Sequence, residues 1–231
     1  MKNVLILYHG SQNIIEKPYF GGGKKTNDFG LGFYCTKIEN LAKEWAVSYS
    51  NDGFCNKYTL DISYMRILNL NSPEYSILNW IAILLEHRAF NIKTPIARKA
   101  RNYIIENFGI NVNAYDIIIG YRADDSYYDY AESFINNSIS VGQLANAMKL
   151  GKLGEQVVIK SEFAFNNLKY EGFEIALKDE FYKYRKDRDK EANELYLKLL
   201  EEEVLDDLYI QDIMKRGIKN EDACIPRNVS K

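Results

Sequence analysis

The sequence predicts a mixed α+β fold, because short apolar runs typical of strands alternate unevenly with longer segments of helical periodicity. At 231 residues the chain is long enough to bury a full core as one domain with an extension. Strands are expected near residues 3–8, 31–36, 56–62, 115–120 and 155–161, and helices near residues 38–50, 74–90, 94–107, 127–136 and 140–149.

The first predicted strand is the apolar run at residues 4–8, which brings His9 and Gly10 to its carboxyl end. Open sheets commonly bind ligands at that end of a strand. Because glycine has no side chain, the backbone N–H and C=O groups of Gly10 are accessible and can hold a flat carboxamide as a second amide would. The His9 imidazole offers a donor or an acceptor to a ribose hydroxyl.

The second predicted strand begins near Gly32, and Gly30 and Gly32 allow the chain to approach it closely. This strand would present Tyr34 as a stacking surface for an aromatic ring. The helix after it carries Trp45 at helical spacing with Leu41. The Trp45 indole is therefore predicted either to stack on a ligand ring or to pack in the core.

A glycine-rich loop at residues 19–26 lies between these two strands and carries Lys24 and Lys25. It lacks the four-residue spacer between glycines that a Walker phosphate loop requires. Two interpretations stay open. One is a mobile cover in which Lys24 or Lys25 pairs with a phosphate, and the other is an ordinary flexible connector.

The last predicted strand opens with Glu155 and Gln156. Successive strand residues point to opposite faces, so only one of the two can project into a cleft beside His9 and Tyr34. Glu155 would supply a carboxylate able to stabilise a developing positive charge, whereas Gln156 would supply a neutral amide. The residues alone leave both alternatives open.

Together these motifs resemble the ADP-ribosyltransferases of the diphtheria-toxin and poly-ADP-ribose-polymerase type. The resemblance rests on residues 8–11 (Tyr-His-Gly-Ser), 28–34 (Asp-Phe-Gly-Leu-Gly-Phe-Tyr) and 155–159 (Glu-Gln-Val-Val-Ile), in that order. More specifically, the chain looks like a bacterial branch of that superfamily. The resemblance implies an ADP-ribosyltransferase-like split β-sheet core with flanking helices over residues 1–170. It also implies a helical C-terminal extension, residues 171–231, packed on that core.

The activity that the resemblance implies is NAD-dependent mono-ADP-ribosyl transfer, in which the nicotinamide–ribose bond of NAD is cleaved and ADP-ribose passes to an acceptor. Such an enzyme is a glycosyltransferase and would act as a toxin or effector, with NAD as co-substrate and no metal. The implied catalytic residues are His9, Tyr34 and either Glu155 or Gln156. The implied NAD-binding residues are His9, Gly10, Ser11, Lys24, Gly30, Gly32, Tyr34 and Trp45.

The implied partners are NAD and an unidentified macromolecular acceptor that is a protein or a nucleic acid. For the helical C-terminal tail two alternatives stay open: it docks on the domain, or it binds a partner such as a neutralising protein. Two other functions stay open. The chain would be a catalytically weak NAD-binding sensor or scaffold if Gln156 replaces the acid. It would remove an RNA 2′-phosphate in an NAD-dependent reaction if the fold carried a basic cleft, which the sequence does not reveal.

The composition bears on the partners and the cellular location of the protein. A formal net charge of −2 and a pI near 5.8 give no polyanion-binding footprint over the whole chain. No apolar run approaches the length of a membrane span, so no membrane partner is expected. Cys35, Cys55 and Cys224 lack paired metal-ligand spacing, and their odd number argues against a disulfide framework. Free thiols without an export signal predict a cytoplasmic protein.

The C-terminal part differs in character from the rest. Residues 174–203 carry dense mixed charge with apolar positions that suit a long surface helix. A shorter helix is expected at residues 208–216, ending at Gly217. His87 is expected to be an exposed residue near the C-terminal end of the helix at residues 74–90.

Overall fold

The computed structural model describes residues 3–123, 125–148, 154–201, 207–222, 224–225 and 227–228. The strands are β1 Val4–Ser11, β2 Phe33–Cys35, β3 Gly53–Asp61, β4 Ile67–Asn69, β5 Ile117–Tyr121, β6 Glu155–Ile159 and β7 Leu168–Ala176. The helices are α1 Glu39–Ala46, α2 Ile77–His87, α3 Pro95–Phe108, α4 Asp125–Ile135, α5 Val141–Ala147, α6 Glu162–Asn167, α7 Lys178–Glu201 and α8 Ile210–Arg216. The predicted mixed α+β fold is confirmed.

The strands form two sheets. Three strands make an antiparallel sheet in the order β1-β3-β7, and four make a second sheet in the order β2-β6-β5-β4. In the second sheet β4 and β5 are parallel and the other neighbours are antiparallel. The two sheets meet at one bridge, where the Tyr8 amide donates to the Thr36 carbonyl at 2.8 Å and the Thr36 amide to the Tyr8 carbonyl at 2.9 Å. Beyond it β1 and β2 diverge.

The four-stranded sheet is buried on both faces. Ile118 and Val158 project into a core built around α2, whose residues 77–85 are all buried. Ile117 and Ile159 project to the other face and pack with residues of the three-stranded sheet. A fully covered sheet explains why β5 and β6 read as continuous apolar runs and not as an alternating pattern.

Local signals set several helix ends. Thr94 caps α3 by accepting a hydrogen bond from the Ala97 amide at 3.1 Å, and Pro95 follows it at the first helical position. The predicted end of the last helix is confirmed, because Gly217 terminates α8 with φ of 64°. Helix α1 ends at Ala46, earlier than expected, so Tyr49 lies outside the helix and is exposed. None of the helices in the described part of the chain is long and apolar enough to span a membrane.

The three-residue strand β4, the helix α6 and the strand β7 were not predicted. Strand β7 pairs with β3 along residues 168–176, with a bulge where Gly172 has φ of 135°. No strand of the described residues pairs with the other edge of β7, and polar residues interrupt its apolar pattern. The position 170, which ends the predicted first domain, lies inside this strand.

The prediction for His87 was wrong. It is the last residue of α2, as expected, but its ring is half-buried beneath the loop that contains Gly30. Burial, together with the positive charge of Lys160, lowers the pKa of His87. The sequence pattern missed this because the covering loop comes from a segment almost sixty residues away.

Candidate functional site

A cavity of about 760 Å³ lies where β1 and β2 diverge. Its walls come from β1, the segment between β1 and β2, β2 itself, α1, the C-terminal end of α2, the ends of β5 and β6, and α6. Most of the residues predicted to act in the site line it. These are His9, Gly10, Lys24, Gly32, Tyr34, Trp45 and Gln156.

The His9 ring has a defined tautomer. Its Nδ1 lies 2.7 Å from the Tyr34 carbonyl oxygen, which can only accept, so Nδ1 carries the hydrogen. Burial lowers the pKa of His9, and the bond to Tyr34 offsets this in part. At neutral pH the imidazole is therefore neutral, and its Nε2 is a hydrogen-bond acceptor.

Gly10 meets two requirements at once. Residues along an antiparallel strand direct their backbone polar groups to alternate sides, and Tyr8 directs its own to Thr36. Gly10 lies two residues after Tyr8, so its N–H and C=O point to the side on which Tyr8 bonds Thr36. At Gly10 that side is open, because β1 and β2 have diverged. A β-carbon at Gly10 would also lie 1.9 Å from the Ala42 carbonyl oxygen, so only glycine lets α1 pack across β1.

Tyr34 offers the cavity its ring and not its hydroxyl. The hydroxyl donates to the Gly30 carbonyl at 2.7 Å and accepts from the Phe29 amide at 3.0 Å. Burial raises the pKa of Tyr34. Gly30 has φ of 70°, a conformation that glycine adopts readily. Gly30 does not line the cavity; it shapes the loop that holds Tyr34.

The alternation of β6 separates Glu155 from Gln156. Gln156 is 3% exposed and lines the cavity. Glu155 does not line the cavity, and its carboxylate lies 2.5 Å from the Asn71 side-chain amide and 3.3 Å from Lys37. Of the two alternatives, the residue that faces the cavity is Gln156, so β6 brings a neutral amide to this position.

Asp28 is a cavity residue that sequence reasoning missed. The residue is 5% exposed, and its carboxylate receives hydrogen bonds of 2.9 Å from Arg88, from the Ala123 amide and from Gln156 Nε2. The one signal was its place directly before Phe29 in a glycine-containing motif. Its partners lie far apart in the sequence, so the cluster exists only in the folded chain.

Trp45 lies in the cavity wall beneath Arg122. The guanidinium carbon of Arg122 is 4.6 Å from the indole centroid, a cation–π distance. The indole Nε1 is buried and has no hydrogen-bond partner among the described residues. One face of the predicted stacking residue is therefore already covered by a cation.

The segment between β1 and β2 closes one side of the cavity and is tied down near its start. The Ile15 amide donates to Asn56 Oδ1 at 2.9 Å, and the Tyr58 hydroxyl donates to the Ile15 carbonyl. Lys24 lies farther along, exposed at the cavity. Ser11, predicted to bind NAD, is not in the cavity wall, because its hydroxyl bonds within a turn to Asn13.

No group of three or more His, Cys, Asp or Glu side chains in the described part of the chain is arranged to hold a metal ion. The three cysteines are free; Cys35 and Cys55 are buried and Cys224 is exposed. Burial raises the pKa of both buried thiols.

A family model described as a protein of unknown function (DUF3990) matches residues 5–170. The matched segment contains every described residue that lines the cavity. No curated protein and no solved structure matches the chain.

Proposed function

This chain belongs to the DUF3990 family of proteins of unknown function, and we propose that it is an NAD-dependent mono-ADP-ribosyltransferase. One observation carries the proposal. The opening between β1 and β2 gathers the backbone groups of Gly10 that point away from β3, a neutral His9, the Tyr34 ring and Gln156 around a single cavity. Its volume of about 760 Å³ is in the range of sites for small molecules and cofactors.

Each of these groups has a partner on NAD. The N–H and C=O of Gly10 would pair with the nicotinamide carboxamide, and the Tyr34 ring would stack on the nicotinamide. His9 Nε2 would accept from a ribose hydroxyl. Cationic side chains at Lys17, Lys24 and Arg122 also line the cavity, which suits the pyrophosphate.

The first step of this reaction needs no general acid among these residues. As the bond between nicotinamide and the ribose C1′ breaks, nicotinamide leaves as a neutral molecule and positive charge develops at C1′. Positioning the sugar and stabilising that charge lower the barrier. The acceptor nucleophile then bonds to C1′ and loses a proton to a base or to water. We propose a macromolecular acceptor; the role as a toxin or effector rests on the resemblance alone.

A second candidate is an NAD-binding sensor or scaffold without turnover. The observation in its favour is that Gln156, and not Glu155, lines the cavity, so β6 contributes no carboxylate there. A general base is expected to work less well without that carboxylate. The two candidates predict the same NAD binding and differ in nicotinamide release.

The test measures NAD binding by calorimetry and nicotinamide release by chromatography, with and without cell lysate as a source of acceptor. His9→Ala and Gln156→Ala are each expected to lower the rate of release by about 10-fold or more. Glu155→Gln is the matched control, because Glu155 lies next along the same strand but outside the cavity. Binding without release in any lysate would favour the sensor, and absence of NAD binding would contradict both candidates.

A further inference from the structure

The amide of Gln156 has only one orientation that satisfies its surroundings. Its Nε2 donates to Asp28 Oδ2 at 2.9 Å and to the Tyr121 carbonyl at 3.0 Å, which uses both amide hydrogens. The flipped amide would bring its oxygen against a carboxylate and a carbonyl, neither of which can donate. Oε1 is therefore the atom that Gln156 offers to a ligand in the cavity.

Asp28 is itself held in place from three directions. Arg88 bonds one carboxylate oxygen, and the Ala123 amide and Gln156 share the other. The Asp28 carboxylate accepts the N–H of Gln156, so its charge polarises the amide and makes Oε1 a stronger acceptor. The amide dipole then points its negative end away from Asp28.

We propose that Asp28 is a positioning residue that makes Gln156 a dedicated hydrogen-bond acceptor for a ribose hydroxyl of NAD. The pair would together supply the negative potential that a single carboxylate on β6 would otherwise provide. This inference rests on the proposed function. It predicts that a carboxylate introduced by Gln156→Glu does not improve the enzyme, because that group would face Asp28 and the Tyr121 carbonyl, which are both acceptors.

The experiment compares Asp28→Asn and Gln156→Glu with the wild type by kcat for nicotinamide release and by the Kd for NAD. Asn at position 28 can turn its amide hydrogens toward Arg88, which loses that bond, or toward Ala123 and Gln156, which loses both of those bonds. The negative charge is lost in either orientation. We expect kcat to fall by about 10- to 100-fold, the rate equivalent of one charged hydrogen bond, and Kd to change by less than about 3-fold.

Asp116→Asn is the matched control. Asp116 is also 5% exposed and also bonds an arginine, Arg66, but it does not line the cavity. Asp116→Asn is expected to lower the stability of the protein, but not to lower kcat while leaving Kd nearly unchanged as Asp28→Asn does. Thermal unfolding of all variants distinguishes loss of fold from loss of positioning.

A second readout does not depend on turnover. In the wild type the side-chain NH2 of Gln156 should exchange slowly with solvent in nuclear magnetic resonance spectra, and in folded Asp28→Asn it should exchange faster. Unchanged exchange, an unchanged kcat for Asp28→Asn, or a faster Gln156→Glu enzyme would each overturn the inference and leave the proposed function standing. A wild type that does not bind NAD would overturn both.

Discussion

At the scale of single residues, His9 gives the proposed site a pH dependence of known sign. Burial lowers the pKa of His9 below the ordinary value of 6.5. The ring is therefore neutral at pH 7 and takes up a proton only at a pH below 6.5. Protonation places a hydrogen on Nε2, which removes the acceptor. We expect NAD affinity to be constant from about pH 8 to neutrality and to fall below about pH 6.5.

The measurement is Kd for NAD across this pH range. The chain has two histidines, and burial lowers the pKa of both. His9→Gln should abolish the acid decline, whereas His87→Gln should keep it. A decline that persists in His9→Gln and disappears in His87→Gln would contradict the role assigned to His9.

Sequence reasoning predicted those cavity residues whose signal is local. His9 and Tyr34 stand in short motifs with glycines, and both line the cavity. Whether Glu155 or Gln156 lines the cavity depends on which face of β6 points toward it. The register of β6 with β5 fixes that face, and the sequence alone does not reveal it. Asp28 was missed because its partners come from three separate elements.

At the scale of elements, Lys160 joins the end of β6 to the loop before β2. Its Nζ donates to the Phe29 carbonyl at 2.7 Å and to the Leu31 carbonyl at 2.6 Å. Burial lowers the pKa of Lys160 from 10.5 to about 8. Between these values the unfolded chain binds a proton that the folded chain has released, so the free energy of unfolding should rise as pH increases from about 8 to about 10.

This rise is measured as the difference in the free energy of unfolding between the wild type and Lys160→Met in urea at each pH. The tyrosines titrate in both proteins, so their contribution to the pH dependence cancels in this difference. The exposed strand residue Lys57 provides the control substitution Lys57→Met. A difference for Lys160→Met that is flat with pH would show that its amine is not desolvated in the folded protein.

A second element-scale contact attaches α7 to α1. Arg188 bonds Glu44, whose side chain is 5% exposed, and burial raises the pKa of Glu44 against the opposing effect of Arg188. Arg188→Met leaves a buried carboxylate without its partner, so we expect a loss of about 3 kcal/mol in the free energy of unfolding at pH 7.

The loss should shrink toward pH 5, where the isolated carboxyl can take up a proton. Lys190→Met is the control, because the pair of Lys190 with Glu194 is exposed and such pairs contribute under about 1 kcal/mol. Equal losses for Arg188→Met and Lys190→Met in urea denaturation would contradict the assignment.

The elements that sequence reasoning missed share a physical cause. The nine residues of β7 carry an interrupted apolar pattern, and several of their side chains, including Phe173 and Ile175, are exposed. An edge strand takes its stability from pairing with β3, which is distant in sequence, and a single-sequence pattern does not record that pairing. The long helices α2 and α3 carry their own periodicity and caps and were predicted.

At the scale of the whole molecule, the segment after residue 170 contributes to the same core as the matched segment. Six of its aliphatic side chains are buried in the core around α2. These are Leu199, Leu208, Ile210, Ile213, Ile218 and Ile225. The division into residues 1–170 and a packed extension stays a prediction. Whether residues 1–170 fold alone depends on how much stability these six side chains contribute to the shared core.

We expect a chain of residues 1–170 to lack a cooperative unfolding transition. Each buried aliphatic side chain stabilises a protein by roughly 1.5–3 kcal/mol, so six of them amount to roughly 9–18 kcal/mol, which is comparable to the entire stability of a typical domain. The truncation also removes most of β7 from its pairing with β3. A chain ending at Asn228 keeps every described residue and is the control. Circular dichroism during heating compares the two, and a sharp transition in the shorter chain would show that residues 1–170 form a domain of their own.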